Sequence, residues 1–179
     1  GERVAQCRAA FEAARSAGLV APGAGSLRDL TPERLPELAA VAPDVVFRRA
    51  RHVVSENTRV DAFCAALVPG DGPALGRLLA EAQRSLRDDF EVSTPELDAL
   101  CELAAALPSV IGSRLTGAGF GGCSLHLLDP FATAAQRQAA ADALCEAFEG
   151  RFGRRPPAWT VQASDGASLL TPVERADSR

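Results

Sequence analysis

Several residue types are missing from this sequence, and their absence excludes some functions. The 179 residues include no Lys, no Met and no Tyr, and only one Trp. A Walker-type phosphate loop is excluded, because that motif needs a lysine to reach the β- and γ-phosphates. Aromatic residues make up 5% of the chain, the net charge is -4, and no basic run occurs. Nucleic acid is therefore not expected as a partner.

Long hydrophobic runs and a leader-like start are also missing. The stretch from Leu115 to Leu128 lacks Asp and Glu, but it is rich in glycine and too short to span a bilayer. The polar start Gly1-Glu2-Arg3 is not typical of a signal peptide. We expect a cytoplasmic protein with no membrane partner. Because residue 1 is Gly rather than Met, we also expect a fragment or processed product whose remaining part lies upstream.

Cysteine and histidine are too scattered to indicate a metal site. The five Cys contain no Cys-x-x-Cys pair, and their odd number fits reduced thiols. Four of them fall on apolar positions of predicted helices, where they are expected to be small structural hydrophobes: Cys7, Cys64, Cys101 and Cys145. His52 and Glu56 share one helix face, and a helix-surface hydrogen bond is favoured there over a shared metal. His126 is expected to be a solvated or hydrogen-bonded strand residue.

The hydrophobic pattern predicts an α+β domain over residues 1–170. Residues 1–108 read as mostly helical, with a long helix after Asp44 and a helix start signal at Ser93-Thr94-Pro95-Glu96. Residues 109–170 read as strand, loop, strand, helix and strand, the last strand covering Trp159 to Ala163. This order favours helices packed with a small, mainly antiparallel sheet. Residues 171–179 are predicted to form a flexible tail.

Gly117 to Gly122 form the segment that is richest in functional signals. The segment satisfies Gly-x-Gly-x-x-Gly, but a dinucleotide fingerprint runs from a strand into a helix, and here a strand-like alternation follows. The remaining interpretation is a strand-to-strand loop whose glycines allow positive φ and whose N–H groups are available to an anion or to a neighbouring loop. A flexible hairpin turn is the alternative that spacing alone leaves open.

The residues of this loop resemble a known motif. Residues 113–123 are similar to the third signature motif of galactokinases, which belong to the GHMP small-molecule kinase family. Residues 51–59 and 85–98 resemble the helical blocks that precede this motif, in the same order, and residues 3–7 resemble the start of an earlier helix. The resemblance runs from about residue 1 to about residue 163. It departs at Gln83-Arg84, where galactokinases usually carry Ser-His, and we interpret this departure as a helix-surface change.

The resemblance implies a GHMP kinase C-terminal domain, with a ferredoxin-like fold, that lacks the N-terminal kinase half. The complete enzyme would transfer the γ-phosphoryl group of ATP to galactose and give galactose 1-phosphate, with ATP and Mg²⁺ bound mainly by the N-terminal half. No catalytic residue is assigned here, and these residues alone are expected to be inactive. The resemblance implies that the motif packs against the nucleotide phosphate loop through Thr116, Gly117, Ala118, Gly119, Phe120, Gly121 and Gly122.

The other charged residues that could belong to a functional site are expected to have structural roles. Asp88 and Asp89 are adjacent, so on a helix they point about 100° apart and are expected to form a solvated helix end. Arg114 is expected to be a surface charge at a strand edge rather than a phosphate ligand.

A galactokinase-like sensor without catalysis and a stand-alone interaction module are the alternative functions. We also expect an exposed apolar patch where another half would dock, and the sequence leaves the sugar epimer and the oligomeric state open.

Overall fold

The computed structural model describes residues 1–167. In chain order its elements are α1 (Glu2–Ser16), two single 3-10 turns (Leu27–Asp29 and Pro32–Arg34), α2 (Leu35–Val41), α3 (Asp44–Leu67), α4 (Gly72–Asp88), α5 (Pro95–Ala105), β1 (Val110–Thr116), β2 (Cys123–Leu128) and α6 (Ala134–Phe152). The predicted tail at residues 171–179 lies outside the described residues. Within residues 1–167, no helix is both long and apolar enough to cross a membrane.

Helix ends follow the capping signals of the sequence. The Thr94 hydroxyl accepts a hydrogen bond from the Leu97 N–H at 3.3 Å, so α5 begins where the sequence predicts a start. Thr133 and Gln136 form a reciprocal capping box at the start of α6. α6 ends at Gly153, which has a φ of 70°, a conformation that glycine adopts without strain.

Buried apolar side chains form two separate clusters. The N-terminal cluster comes from α1 to α3 and the loops between them, and it consists of Ala10, Ala14, Leu19, Leu27, Leu30, Leu38, Ala50 and Val54. The loop-side cluster joins α4, α5 and β1, and it consists of Leu86, Val92, Leu97 and Leu115. The second cluster packs directly against the loop that follows β1, because its Val92 contacts Gly119 of that loop.

Strand β1 lies unusually close to helix α4. A Cβ added to Gly76 would stand 2.2 Å from the Ile111 carbonyl oxygen, and one added to Gly112 would stand 2.9 Å from the Gly76 Cα. Only residues without a side chain allow this approach. The contact fixes β1, and therefore the start of the following loop, against a long helix.

The sheet confirms the α+β class but has one strand fewer than predicted. β1 and β2 pair antiparallel, with Thr116 opposite Cys123 beside the loop. Residues 159–163 were predicted as a strand, and this prediction is wrong, because within residues 1–167 only β1 and β2 form a ladder. A groove of about 520 Å³ separates this segment from β2, so its backbone gains no strand hydrogen bonds and Trp159 and Val161 stay 73% exposed.

The last part of α3, strand β2 and the loop after β2 expose apolar side chains. All buried residues of α3 lie in its first half, and the predicted burial of Cys64 is wrong because this thiol lies in the exposed second half. Cys101 and Cys145 are buried as predicted, and Cys7 is half-buried. The large exposed apolar side chains of this region are Val60, Leu67, Val68, Leu125 and Phe131.

Candidate functional site

The glycine loop, residues 117–122, has a backbone that few other sequences can adopt. Five of its six residues have positive φ, between 60° for Phe120 and 123° for Gly121. Four of these five are glycines, which reach this region without steric cost. Phe120 is the exception, and a non-glycine residue in this region is held there by its surroundings. The prediction that the glycines serve positive φ is confirmed.

The loop is attached to residues 90–94, which we name the support segment. The Phe120 N–H donates to the Val92 carbonyl at 2.7 Å. A Cβ on Gly119 would lie 2.3 Å from that same carbonyl oxygen and 2.7 Å from the Val92 Cβ. The backbone approach at Gly119 is therefore to the support segment, and the loop is a pinned element rather than a free hairpin turn.

The pinned loop presents unused hydrogen-bond donors. Within the described residues, the five N–H groups of the loop other than that of Phe120 have no acceptor. Thr116, Gly117 and Ala118 are exposed, and the Phe120 ring is 66% exposed. The seven residues predicted to support a phosphate site form one continuous segment, in which Gly119 and Gly121 are half-buried and the other five are exposed. Several backbone N–H groups in a fixed concave turn are a suitable arrangement for an anion.

Three arginines hold the support segment at Glu91. This residue has a φ of 53°, and its carboxylate accepts from Arg49 at 2.6 Å, from Arg3 at 3.4 Å and from Arg48. Hydrogen bonds from Arg48 and Arg49 lower the pKa of Glu91 to about 2. Arg49 is only 1% exposed, so the ion pair lies at the base of the segment.

Arg3 links the first helix directly to the loop. Its Nε donates to the Phe90 carbonyl at 2.6 Å, and its guanidinium carbon stands 6.0 Å from the centre of the Phe120 ring. The positive charge over the ring face favours this ring position. The support segment is thus held from below by α3 and from the side by α1.

Gln83 is buried, so its prediction as a helix-surface residue is wrong. The side chain is 6% exposed. Its Oε1 accepts from the Leu115 N–H at 2.8 Å, and its Nε2 donates to Ser93 at 3.1 Å and to Asp98 at 2.9 Å. It lies on the same side of α4 as the leucines that pack against β1, which explains the burial.

His52 and Glu56 do not hydrogen-bond to each other, because His52 pairs with Ser85, whereas Glu56 pairs with Arg59 and Arg114. His52 is buried, with its Nδ1 3.0 Å from the Ser85 hydroxyl and its ring stacked on Phe90 at 4.4 Å. Burial lowers the pKa of His52 to about 4, so the ring is neutral at pH 7. The predicted helix-surface position is wrong, because α4 covers this face of α3.

Arg114 and Asp89 are paired rather than free surface charges. Arg114 donates to Glu56 at 2.5 Å and so ties β1 to α3. Asp89 accepts from Arg51 and, at 3.1 Å, from the Ser85 hydroxyl, while the adjacent Asp88 is exposed and bonds Arg87. The prediction of a solvated helix end is therefore confirmed for Asp88. It is wrong for Asp89, because the side chain of Asp89 turns toward α3.

His126 is a hydrogen-bonded strand residue, as predicted. Its two ring nitrogens lie 2.8 Å from the Ser113 hydroxyl on β1 and from the Ser124 hydroxyl on its own strand, so the Ser113 contact joins β1 to β2. Burial lowers the pKa of His126 below its ordinary value. Across residues 1–167, no three His, Cys, Asp or Glu side chains stand close enough together to hold a metal ion.

Sequence reasoning missed the residues that hold the loop. Arg49, Glu91 and Gln83 fall on helices and turns whose patterns look like ordinary solvated faces. One signal was present: Arg48-Arg49 on one element and Asp88-Asp89 with Glu91 on another are complementary in charge. That complementarity indicates contact only once the two elements are known to be neighbours.

Comparison with known proteins identifies relatives of this chain. The family model described as GHMP kinases C terminal matches residues 60–150, just over half of the chain. A galactokinase from Homo sapiens is 45% identical over 148 residues, which are 83% of this chain and 36% of that protein. A galactokinase from Roseiflexus sp. is 40% identical over 149 residues, 83% of this chain and 37% of that protein.

A solved structure is similar over the same region. It is described as Lactococcus lactis galactokinase complexed with galactose, with a TM-score of 0.75 and 33% identity over 86% of this chain and 38% of that one. The chain thus spans little more than a third of the length of these relatives. From the family match over residues 60–150, which includes the pinned glycine loop, the chain belongs to the GHMP kinase family through its C-terminal domain.

Proposed function

We propose that this chain is the C-terminal part of a galactokinase. The complete enzyme, meaning these residues together with an N-terminal kinase half, transfers the γ-phosphoryl group of ATP to the anomeric hydroxyl of galactose and gives galactose 1-phosphate. Identity of 40–45% to galactokinases from two distant organisms supports this proposal. The similar Lactococcus lactis galactokinase was solved in complex with galactose, which supports galactose as the sugar.

The glycine loop supports the nucleotide phosphate site in this proposal. The observation that carries it is a loop fixed by the Phe120–Val92 hydrogen bond, with its other N–H groups free within the described residues. Phosphoryl transfer depends mostly on positioning and on stabilising charge that spreads over the phosphate oxygens. Donors that are already held in place do this without reorganising during the reaction. The loop therefore acts through its backbone, at Thr116 to Gly122, and not through a reactive side chain.

Residues 1–167 offer Mg²⁺ no preassembled set of protein ligands. No three His, Cys, Asp or Glu side chains in this part of the chain lie close enough together to hold a metal ion. We therefore assign no catalytic residue and no metal ligand here, and we propose that the N-terminal half supplies the contacts to Mg²⁺, to galactose and to most of ATP. The five free cysteines support a reducing compartment, which fits the cytoplasm.

A chimera tests this function. Residues of this chain would replace the matching 148 residues of human galactokinase, and phosphorylation of galactose by ATP would be measured for the chimera and for the 179-residue chain alone. We expect turnover by the chimera and none by the chain alone. Turnover by the isolated chain, or a folded chimera that does not phosphorylate galactose, would contradict the proposal.

A further inference from the structure

Gln83 is the only side chain within the described residues that hydrogen-bonds both β1 and the support segment. Its Oε1 accepts from Leu115, two residues before the glycine loop. Its Nε2 donates to Ser93, the residue after Val92, whose carbonyl holds Phe120. One amide thus connects the strand that enters the loop with the segment to which the loop is attached.

The amide of Gln83 is hydrogen-bonded through both its oxygen and its nitrogen. Its Nε2 donates to the Ser93 hydroxyl and to an Asp98 carboxylate oxygen at 2.9 Å, and the Ser93 hydroxyl itself donates to that same oxygen at 2.7 Å. These bonds form a closed triangle between α4, the support segment and α5. Since Gln83 is 6% exposed, water does not readily replace a lost partner, and each bond restricts position strongly.

We infer that Gln83 is a positioning residue for phosphoryl transfer, because it fixes the glycine loop relative to the support segment. This inference rests on the proposed function, since it names a residue that serves the same loop. Gln83 does not touch the loop or any phosphate; it acts through Leu115 on one side and through Ser93 and Val92 on the other. A residue that only stabilised the core would lower stability without changing the rate of the folded enzyme.

The first test compares Gln83→Leu with Leu38→Ala in the complete enzyme. Leu38 is fully buried in the N-terminal cluster, away from the loop, so its variant loses stability without loosening the support segment. At a temperature where both variants are folded, kcat is expected to fall at least about tenfold in Gln83→Leu and to stay within about twofold in Leu38→Ala. An unchanged kcat in Gln83→Leu, or an equal fall in both variants, would overturn the inference.

A second test exchanges donor and acceptor inside the triangle. Gln83→Glu leaves an acceptor for Leu115 but sets a carboxylate against Asp98, so kcat is expected to fall. Adding Asp98→Asn supplies the missing donor and is expected to restore kcat to within about threefold of the wild type. A double variant as slow as Gln83→Glu alone would overturn the inference, and this pair decides the matter if Gln83→Leu does not fold.

Amide hydrogen exchange on the 179-residue chain gives a readout independent of activity. Loss of the Gln83 contacts to Ser93 and Asp98 is expected to speed exchange at Phe120 by about tenfold or more in Gln83→Glu, with recovery in the double variant, while Leu115 keeps its acceptor and stays protected. Unchanged exchange at Phe120 would overturn the inference even if the enzyme were slow. A wild-type complete enzyme that does not phosphorylate galactose would instead refute the proposed function and leave this exchange result to judge Gln83.

Discussion

The N-terminal cluster is built from side chains without polar atoms, whereas the glycine loop is held by hydrogen bonds and ion pairs. Leu38, Ala50 and Val54 are buried by packing alone. Beneath the loop, by contrast, the apolar loop-side cluster is joined by buried or half-buried polar groups, namely Gln83, Arg49 and Glu91, each bonded to a partner far away in sequence. Packing is tolerant of small shifts, but hydrogen-bonded groups have fixed distances and directions. The comparison indicates that the first region provides stability and the second provides position.

The largest effect on stability is expected in the apolar region. Leu38→Ala removes a fully buried side chain from the N-terminal cluster and is expected to lower the free energy of unfolding by about 2–5 kcal/mol. Chemical denaturation measures this change. As a control, Val41→Ala alters an exposed side chain at the end of the same short helix and is expected to change stability by less than about 0.5 kcal/mol. Equal effects of the two variants would contradict the account of the cluster.

Acid is expected to weaken the contact between α3 and α4 at His52. Its pKa is about 4 in the folded chain and about 6.5 when exposed, so the unfolded state binds more protons between these values. The contribution of the neutral His52 ring to stability is therefore fully present above pH 6.5. It is lost as the pH falls toward 4, by about 3 kcal/mol if the ring must be neutral. Histidine proton resonances followed by NMR give the pKa, and His52→Gln should flatten this part of the pH profile. A His52 that titrates near its ordinary value would contradict the buried neutral ring.

Gly119→Val sharpens the contrast between position and stability. The added Cβ would meet the Val92 carbonyl at a residue with φ of 78°, at a cost of about 1–3 kcal/mol in strain. In the complete enzyme we expect kcat to fall at least about tenfold while the protein still folds.

Gly122→Val is the matched control for this variant. Gly122 also has positive φ, but a Cβ there would meet nothing within 4 Å. Gly122→Val is expected to lower the melting temperature through backbone strain, and to lower kcat less than Gly119→Val does. A wild-type kcat in folded Gly119→Val would show that the loop is only a turn.

The smallest effect is expected from Glu91. The carboxylate is only partly buried, so Glu91→Gln is expected to cost about 1 kcal/mol, against less than about 0.5 kcal/mol for Glu12→Gln, which breaks an exposed helix pair with Arg15. Because the pKa of Glu91 is lowered from 4.5 to about 2, its contribution is present above pH 4.5 and is lost as the pH falls toward 2. Denaturation at about pH 7 and about pH 3 measures both effects. A variant as stable as the wild type at about pH 7, or a difference between them that is as large at about pH 3 as at about pH 7, would contradict the arginine contacts.

Local patterns in the sequence were enough to predict the helices and the loop. The start at Thr94, the start at Thr133 and the turn glycines follow from hydrogen-bonding and φ preferences of residues that are close in sequence. The strand at residues 159–163 was predicted on the same local basis and does not form. A strand requires a neighbour, and the alternation of a segment contains no information about whether a neighbour is within reach.

The polar contacts of the site depend on long-range neighbours. Gln83 and His52 were assigned to helix surfaces because polar residues on an amphipathic helix are usually solvated. Both face other elements instead, and their partners Leu115 and Ser85 are more than thirty residues away. Only the folded chain shows which polar residues are buried, so the loop could be predicted from the sequence and its supports could not.

Amide exchange across residues 117–122 tests the central claim most directly, namely that the glycine loop is pinned to the support segment by one backbone bond and keeps its other donors free. NMR would follow each amide of the loop in the 179-residue chain at neutral pH. We predict slow exchange for Phe120, whose N–H is bonded to Val92 at 2.7 Å, and fast exchange for the five others. Exchange at Phe120 as fast as at its neighbours would contradict the pinned loop and the account built on it.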